Sequence, residues 1–128
     1  ALLMVDLDHF KEVNDMNGHL IGDDALTSTA KALKDYFEPF SSIVARFGGD
    51  EFIVLSQVKE GESVQILADN LYHALTALSL VVNNEKVHLE FSIGVRTNQR
   101  GSIVKVEVLI QHADESLYKS KRNGRNQI

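Results

Sequence analysis

Two short acidic segments carry the residues of this chain best suited to chemistry. In Arg46-Phe47-Gly48-Gly49-Asp50-Glu51-Phe52, a pair of glycines and two adjacent carboxylates stand between apolar runs. Neighbouring carboxylates repel each other, and a divalent cation removes that repulsion. Taken alone, a solvated acidic turn is the plainer reading of this segment. A second cluster shifts the balance, because Leu2-Leu3-Met4-Val5 leads directly into Asp6-Leu7-Asp8-His9-Phe10-Lys11. The apolar run reads as a buried strand, which puts Asp6 at its carboxyl end. Asp8 precedes a helical pattern and is assigned the helix N-cap, its oxygen taking an otherwise unpaired amide. Asp6 has no such local employment, so a ligand explains it better than folding does. The open amides of that helix start, with Lys11 one turn in, suit a phosphate group.

These residues need elements to aim them. Residues 43–47 and 52–55 are rich in β-branched and aromatic types, and joined across Gly48-Gly49 they predict an antiparallel hairpin with a tight turn of positive φ. Ala25, Leu26, Thr29, Ala30, Leu33 and Phe37 recur at helical spacing, and Pro39 with Ser41-Ser42 closes that helix. Val64, Leu67, Ala68, Leu71, Leu75 and Leu78 predict an amphipathic helix over 62–78. Val87, Leu89, Phe91, Ile93 and Val95 alternate with His88, Glu90, Ser92 and Gly94, the period of one strand with a buried face, after a turn at Asn83-Asn84-Glu85. Leu109, Ala113 and Leu117 mark a final helix ending near Asn123-Gly124. The predicted order is β-α-α-β-β-α-β-α, an α/β fold whose mixed sheet carries helices packed on it.

Composition narrows the chemistry further. The 128 residues suffice for one sizeable core, so residues 1–128 are read as one domain. With no cysteine, any metal must take oxygen or imidazole ligands. The net charge of −5 argues against a polynucleotide-binding surface, and a mononucleotide is the easier partner. No apolar run approaches a membrane span, so no membrane contact is expected of this domain and a cytoplasmic setting is. The chain opens within an apolar run without an initiator methionine, and is expected to be a piece of a longer protein.

In the order Asp6-Leu7-Asp8-His9-Phe10-Lys11, Asn14-Asp15, Gly18-His19, Gly22-Asp23, Ala45-Arg46-Phe47, Gly48 to Phe52, Ser92-Ile93-Gly94-Val95, Ala113-Asp114, Leu117-Tyr118 and Lys121 with Gly124-Arg125-Asn126, the chain resembles the GGDEF family of diguanylate cyclases. The resemblance covers nearly the whole chain. It implies the palm-like fold of nucleotide cyclases, and condensation of two GTP molecules into cyclic di-GMP with release of two pyrophosphates. It implies magnesium, or manganese, held by Asp6, the Leu7 carbonyl, Asp50 and Glu51. Asp50, Glu51 and Lys11 are the implied catalytic groups, with Asp50 the leading acceptor of the hydroxyl proton and its division of labour with Glu51 open. Asn14, His19 and Asp23 correspond to guanine and substrate contacts, joined by Phe10, Gly48 and Gly49, while Lys121 and Arg125 match positions that neutralise the triphosphate. A carboxylate at Asp23 can accept from both N1–H and N2–H of guanine, whereas adenine offers an acceptor at N1. By themselves Asn14 could be a surface helix residue, His19 a loop former, and Asp23 the cap of a helix beginning near Asp24-Ala25.

The family also implies a homodimer for turnover, a sensor domain elsewhere in the parent chain, and a further amino-terminal helix before the first strand. Many members carry an Arg-x-x-Asp inhibitory site five residues before the signature; here Pro39-Phe40-Ser41-Ser42 occupies it. A catalytically silent GTP-binding regulatory module and a protein-interaction domain are the alternative readings of function.

Overall fold

The structure is a computed structural model describing residues 1–128. Its centre is β1 (Leu2–Leu7), all six residues of which are buried. Two helices follow, α1 (Phe10–Asn17) and α2 (His19–Phe37), then the hairpin of β2 (Ser42–Gly48) and β3 (Glu51–Ser56). After α3 (Val64–Thr76) come β4 (Ser79–Val82), β5 (Glu85–His88), β6 (Phe91–Arg96) and α4 (Val106–Arg122). The main sheet runs β2-β3-β1-β6, with every ladder antiparallel; the parallel contact is a bridge between Ser92 and Gln127.

A strand's period of two divides β1 between two cores. Leu3, Val5 and Leu7 join Leu33 and Phe37 of α2 and Leu67, Leu71 and Leu75 of α3 on one face, while Leu2 and Met4 meet Ala113 and Leu117 of α4 on the other. This explains the uninterrupted apolar run at the start of the chain. The predicted α2 face is the one observed, with Ala25, Thr29, Leu33 and Phe37 buried. Tyr36 ties this helix to α3 by donating to the Leu67 carbonyl at 2.9 Å. Ser63 caps α3 by accepting from the Ile66 amide. On the other side, α4 lies so close to β6 that a Cβ at Gly94 would stand 2.2 Å from the Ala113 carbonyl oxygen.

The single strand expected across residues 87–95 is two strands. β5 pairs with β4 across Asn83 and Asn84, both at positive φ as a two-residue hairpin of right-handed twist demands, whereas β6 pairs with β1. The break falls at Leu89 and Glu90, where Leu89 is buried and the Glu90 carbonyl accepts from the Asp8 amide at 2.9 Å. Alternation of side chains continues through the break because both strands turn apolar residues to the same core. Periodicity reports that burial and is blind to which strand is the partner.

Candidate active site

The acidic clusters meet because β1 lies beside the hairpin. Asp6 is the register partner of Glu51, and the Leu7 amide donates to the Asp50 carbonyl at 3.1 Å. The turn itself is Gly49-Asp50, with Gly48 paired to Glu51 and a bulge at Phe47. Only the second glycine needs a left-handed conformation: Gly49 has φ of 34°, and Gly48 does not fall in that region. Arg46 braces the turn from beneath, its Nε donating to the Gly49 carbonyl at 2.9 Å. Asp50 in the turn and Glu51 after it are half-buried, while Asp6 is 3% exposed.

Lys121, from the last turns of α4, reaches the same corner and pairs with Asp6 Oδ2 at 2.9 Å. Burial pushes the Asp6 carboxyl up to about 6; the Lys121 hydrogen bond opposes this, and the charges of Asp50 and Asp8 add to it. For Lys121, burial pulls the ammonium down, but the hydrogen bond and charge of Asp6, helped by Glu51 and Asp50, outweigh it, and the net shift is upward. A buried acid flanked by two more acids, with one cation against it, is an electrostatic site that binds protons or metal readily. Its donor set is all hard oxygen. No three acidic or imidazole groups converge closely enough to cage an ion by themselves. Magnesium commonly takes one or two carboxylates and completes its shell with phosphate and water, so Asp6, Asp50 and Glu51 fit it in the presence of a phosphorylated ligand.

Asp8 is not the cap of α1. His9 occupies the N-cap position at φ 56°, with no side chain capping the first amides, which leaves those amides open. Asp8 points instead into the protein, where the Ser92 hydroxyl donates to its two oxygens at 2.7 and 2.9 Å and the Asn126 amide donates at 2.9 Å. A buried carboxylate finds better partners there than one helix amide at the surface could offer. Phe10, half-buried, opens α1, and Lys11 stands exposed in its first turn.

The residues assigned to base recognition lie where α1 turns into α2. Gly18, at φ 87°, separates the helices, and its amide donates to the Asn14 carbonyl at 2.7 Å. His19 begins α2 and is exposed. Asp23 is exposed inside α2, so the alternative that it caps a helix beginning near Asp24 is overturned: the helix starts earlier, at His19. Gly22 earns a place in this corner, since a Cβ there would lie 1.7 Å from Asn14 Oδ1; its absence lets the Asn14 carboxamide lie against α2. By sequence, Gly22, Arg46, Ser92 and Asn126 have no role beyond matching the family; Gly22, Ser92 and Asn126 act on residues of other elements, which no local pattern signals, while Arg46 acts on the turn three residues on. Arg125 is exposed, at φ 63°, in the turn after α4.

A family model described as "Diguanylate cyclase, GGDEF domain" matches residues 1–127. Diguanylate cyclase A of Treponema denticola is 32% identical over 128 residues, covering the whole of this chain and 34% of that protein. Diguanylate cyclase DosC of Escherichia coli K12 is 38% identical over 130 residues, covering 100% of this chain and 27% of that protein. The chain thus spans about a third or less of these curated relatives. Among solved structures, the GGDEF domain of PA1120 from Pseudomonas aeruginosa superposes with a TM-score of 0.84 at 31% identity, covering 98% of this chain and 78% of that one. The GGDEF domain of DgcB from Caulobacter crescentus, in complex with c-di-GMP, gives a TM-score of 0.81 at 29% identity, covering 98% and 74%. With the signature hairpin, the β1 acids and the palm-like sheet in their places, the chain belongs to the GGDEF family of diguanylate cyclase domains.

Proposed function

We propose that this domain forms cyclic di-GMP from two GTP molecules, releasing two pyrophosphates, with one nucleotide held by each of two facing copies. The observation that carries this reading is the convergence of Asp6, Asp50, Glu51 and Lys121 on one corner, through the Asp6–Glu51 register and the Lys121–Asp6 ion pair. Magnesium or manganese bound there would neutralise phosphate charge and lower the proton affinity of the attacking 3′-hydroxyl. Asp6, Asp50 and Glu51 would hold the ion, with the Leu7 carbonyl, as in the family.

The chain's own residues supply the rest. The free amides at the start of α1, with Lys11, bind phosphate oxygens and stabilise charge that grows in the transition state. Lys121 and Arg125 neutralise the remaining triphosphate charge, and Lys121 releases Asp6 as the ligand arrives. Asp50, at the turn, accepts the proton of the 3′-hydroxyl as its oxygen attacks the α-phosphorus of the other nucleotide; the bond to pyrophosphate then breaks. Asn14 and Asp23 read the guanine edge, with His19 and Phe10 beside it, and Gly48 and Gly49 let backbone approach the nucleotide closely.

One copy leaves this corner open. Asp50 and Glu51 stand half-buried on the hairpin, and a second domain facing it would close the reacting atoms from water. The domain alone is expected to bind GTP better than it turns it over, and fusion to a parallel dimeric coiled coil is expected to raise the rate per domain by raising effective concentration. The deciding experiment incubates the full-length protein with GTP and magnesium and identifies the nucleotides formed. Cyclic di-GMP with two equivalents of pyrophosphate supports the reading; GTP bound but unchanged would leave a regulatory module in its place.

A further inference from the structure

One buried carboxylate near the corner has no part in the chemistry above. Asp8 is 3% exposed and close enough to Asp6 to raise its proton affinity. A buried acid persists where its lone pairs are filled, and Asp8 fills its own from two segments distant in sequence, the Ser92 hydroxyl and the Asn126 amide. The second partner is the informative one. Gly124, Arg125 and Asn126, following α4, have φ of 115°, 63° and 49°. Left-handed conformations are unfavourable for residues with a Cβ, and two in succession survive only where the surroundings hold them.

Those surroundings are specific. The Tyr72 hydroxyl donates to the Asn126 carbonyl at 2.6 Å, the Ile93 amide donates to the Gln127 carbonyl at 2.9 Å, and the Arg125 amide donates to the Ser120 carbonyl at 3.0 Å. Asp8 contributes the one bond to a charged acceptor, and it comes from the β1–α1 turn, between Asp6 and the helix start suited to phosphate. We propose that Asp8 is a positioning residue: its grip on the Asn126 amide fixes the strap 123–127 and so holds Arg125 beside the β1–α1 turn for the triphosphate. This rests on the nucleotide reading given above.

Asp8 touches no nucleotide in this account, so its loss must act through Arg125 and on the outer phosphates alone. The test compares the affinities of the full-length protein for GMP and for the α,β-methylene analogue of GTP, which resists turnover. Asp8→Ala is expected to weaken the triphosphate about tenfold and GMP less than about twofold, the scale of one charge-assisted bond misplaced. Asp8→Asn can offer its oxygen to Asn126 and its NH₂ to the Ser92 oxygen, and is expected to restore binding to within about threefold. Arg125→Ala should cost nothing further in the Asp8→Ala background. Tyr72→Phe loosens the strap from outside the site and should weaken the triphosphate about threefold, which carries the test even if Asp8→Ala does not fold. Equal losses for GMP and the triphosphate, additive losses with Arg125→Ala, or unchanged triphosphate affinity in Asp8→Ala, or in Tyr72→Phe where Asp8→Ala does not fold, would overturn the positioning role. Wild-type protein that binds neither ligand would overturn the functional reading itself, and the inference with it.

Discussion

At the hairpin tip, a Cβ added to Gly48 or Gly49 meets nothing within 4 Å, whereas at Gly94 it would stand 2.2 Å from the Ala113 carbonyl oxygen and 2.4 Å from the Leu117 amide nitrogen. Both regions use glycine, one to stay open and the other to close completely. The β6–α4 contact presses α4 onto the sheet, and that close packing brings Lys121 to Asp6. The tip carries Asp50 and Glu51 on a turn that a ligand can approach. A rigid, buried support bearing one acid, set against an accessible turn bearing two, keeps the site ordered without walling it off.

Breaking the open side should produce the largest effect. Asp50→Ala or Glu51→Ala removes metal or proton handling and is expected to lower cyclic di-GMP formation about 10³-fold or more, while thermal stability barely changes. A variant pair with near-normal product formation would contradict the assignment. Next, Gly94→Ala should destabilise the fold by about 2–3 kcal/mol in denaturant titrations, since backbone on α4 must retreat, whereas Gly48→Ala should change stability by less than about 0.5 kcal/mol. Equal stability losses at the two glycines would erase the contrast between tip and support.

A smaller effect is expected where α1 meets α2, the corner proposed to read the base. Asp23→Ala should reduce the preference for GTP over ATP about tenfold, by competitive turnover of the two, because a guanine edge left without its acceptor loses its advantage. Equal use of ATP by the unmodified protein would show that Asp23 does not read the base. Smallest of all is the response to product. The Ser42 hydroxyl is turned inward, donating to the Phe37 carbonyl at 3.2 Å, and Phe40 packs edge-on against Phe37. With neither an arginine nor an aspartate at residues 39–42, added cyclic di-GMP should change the initial rate less than about twofold. A steep fall that disappears when those residues are altered would refute this.

Asp8 shows how legibility fails in this chain. Its position before a helical pattern matched an N-cap, and the cap rule is a local one; the carboxylate went instead to Ser92 and Asn126, partners that only folding brings near. The strand over 87–95 failed for the same reason, since alternation continued across a change of partner from β4 to β1. The helix faces of α2 and α3 were legible because burial on one face is written at every third or fourth residue.

By itself, the sequence determined the hairpin and its two acids, the strand that ends in Asp6, the apolar faces of the long helices, and, through its ordered motifs, the family. Those are local patterns, set by propensity and by period. Only the tertiary structure decided that Asp6 stands opposite Glu51, that Lys121 closes on Asp6, that Gly22 makes room for Asn14, and that Asp8 belongs to the strap after α4. Each of these depends on register and packing between segments far apart in the chain, where one residue of slip would turn a carboxylate to the other face of the sheet.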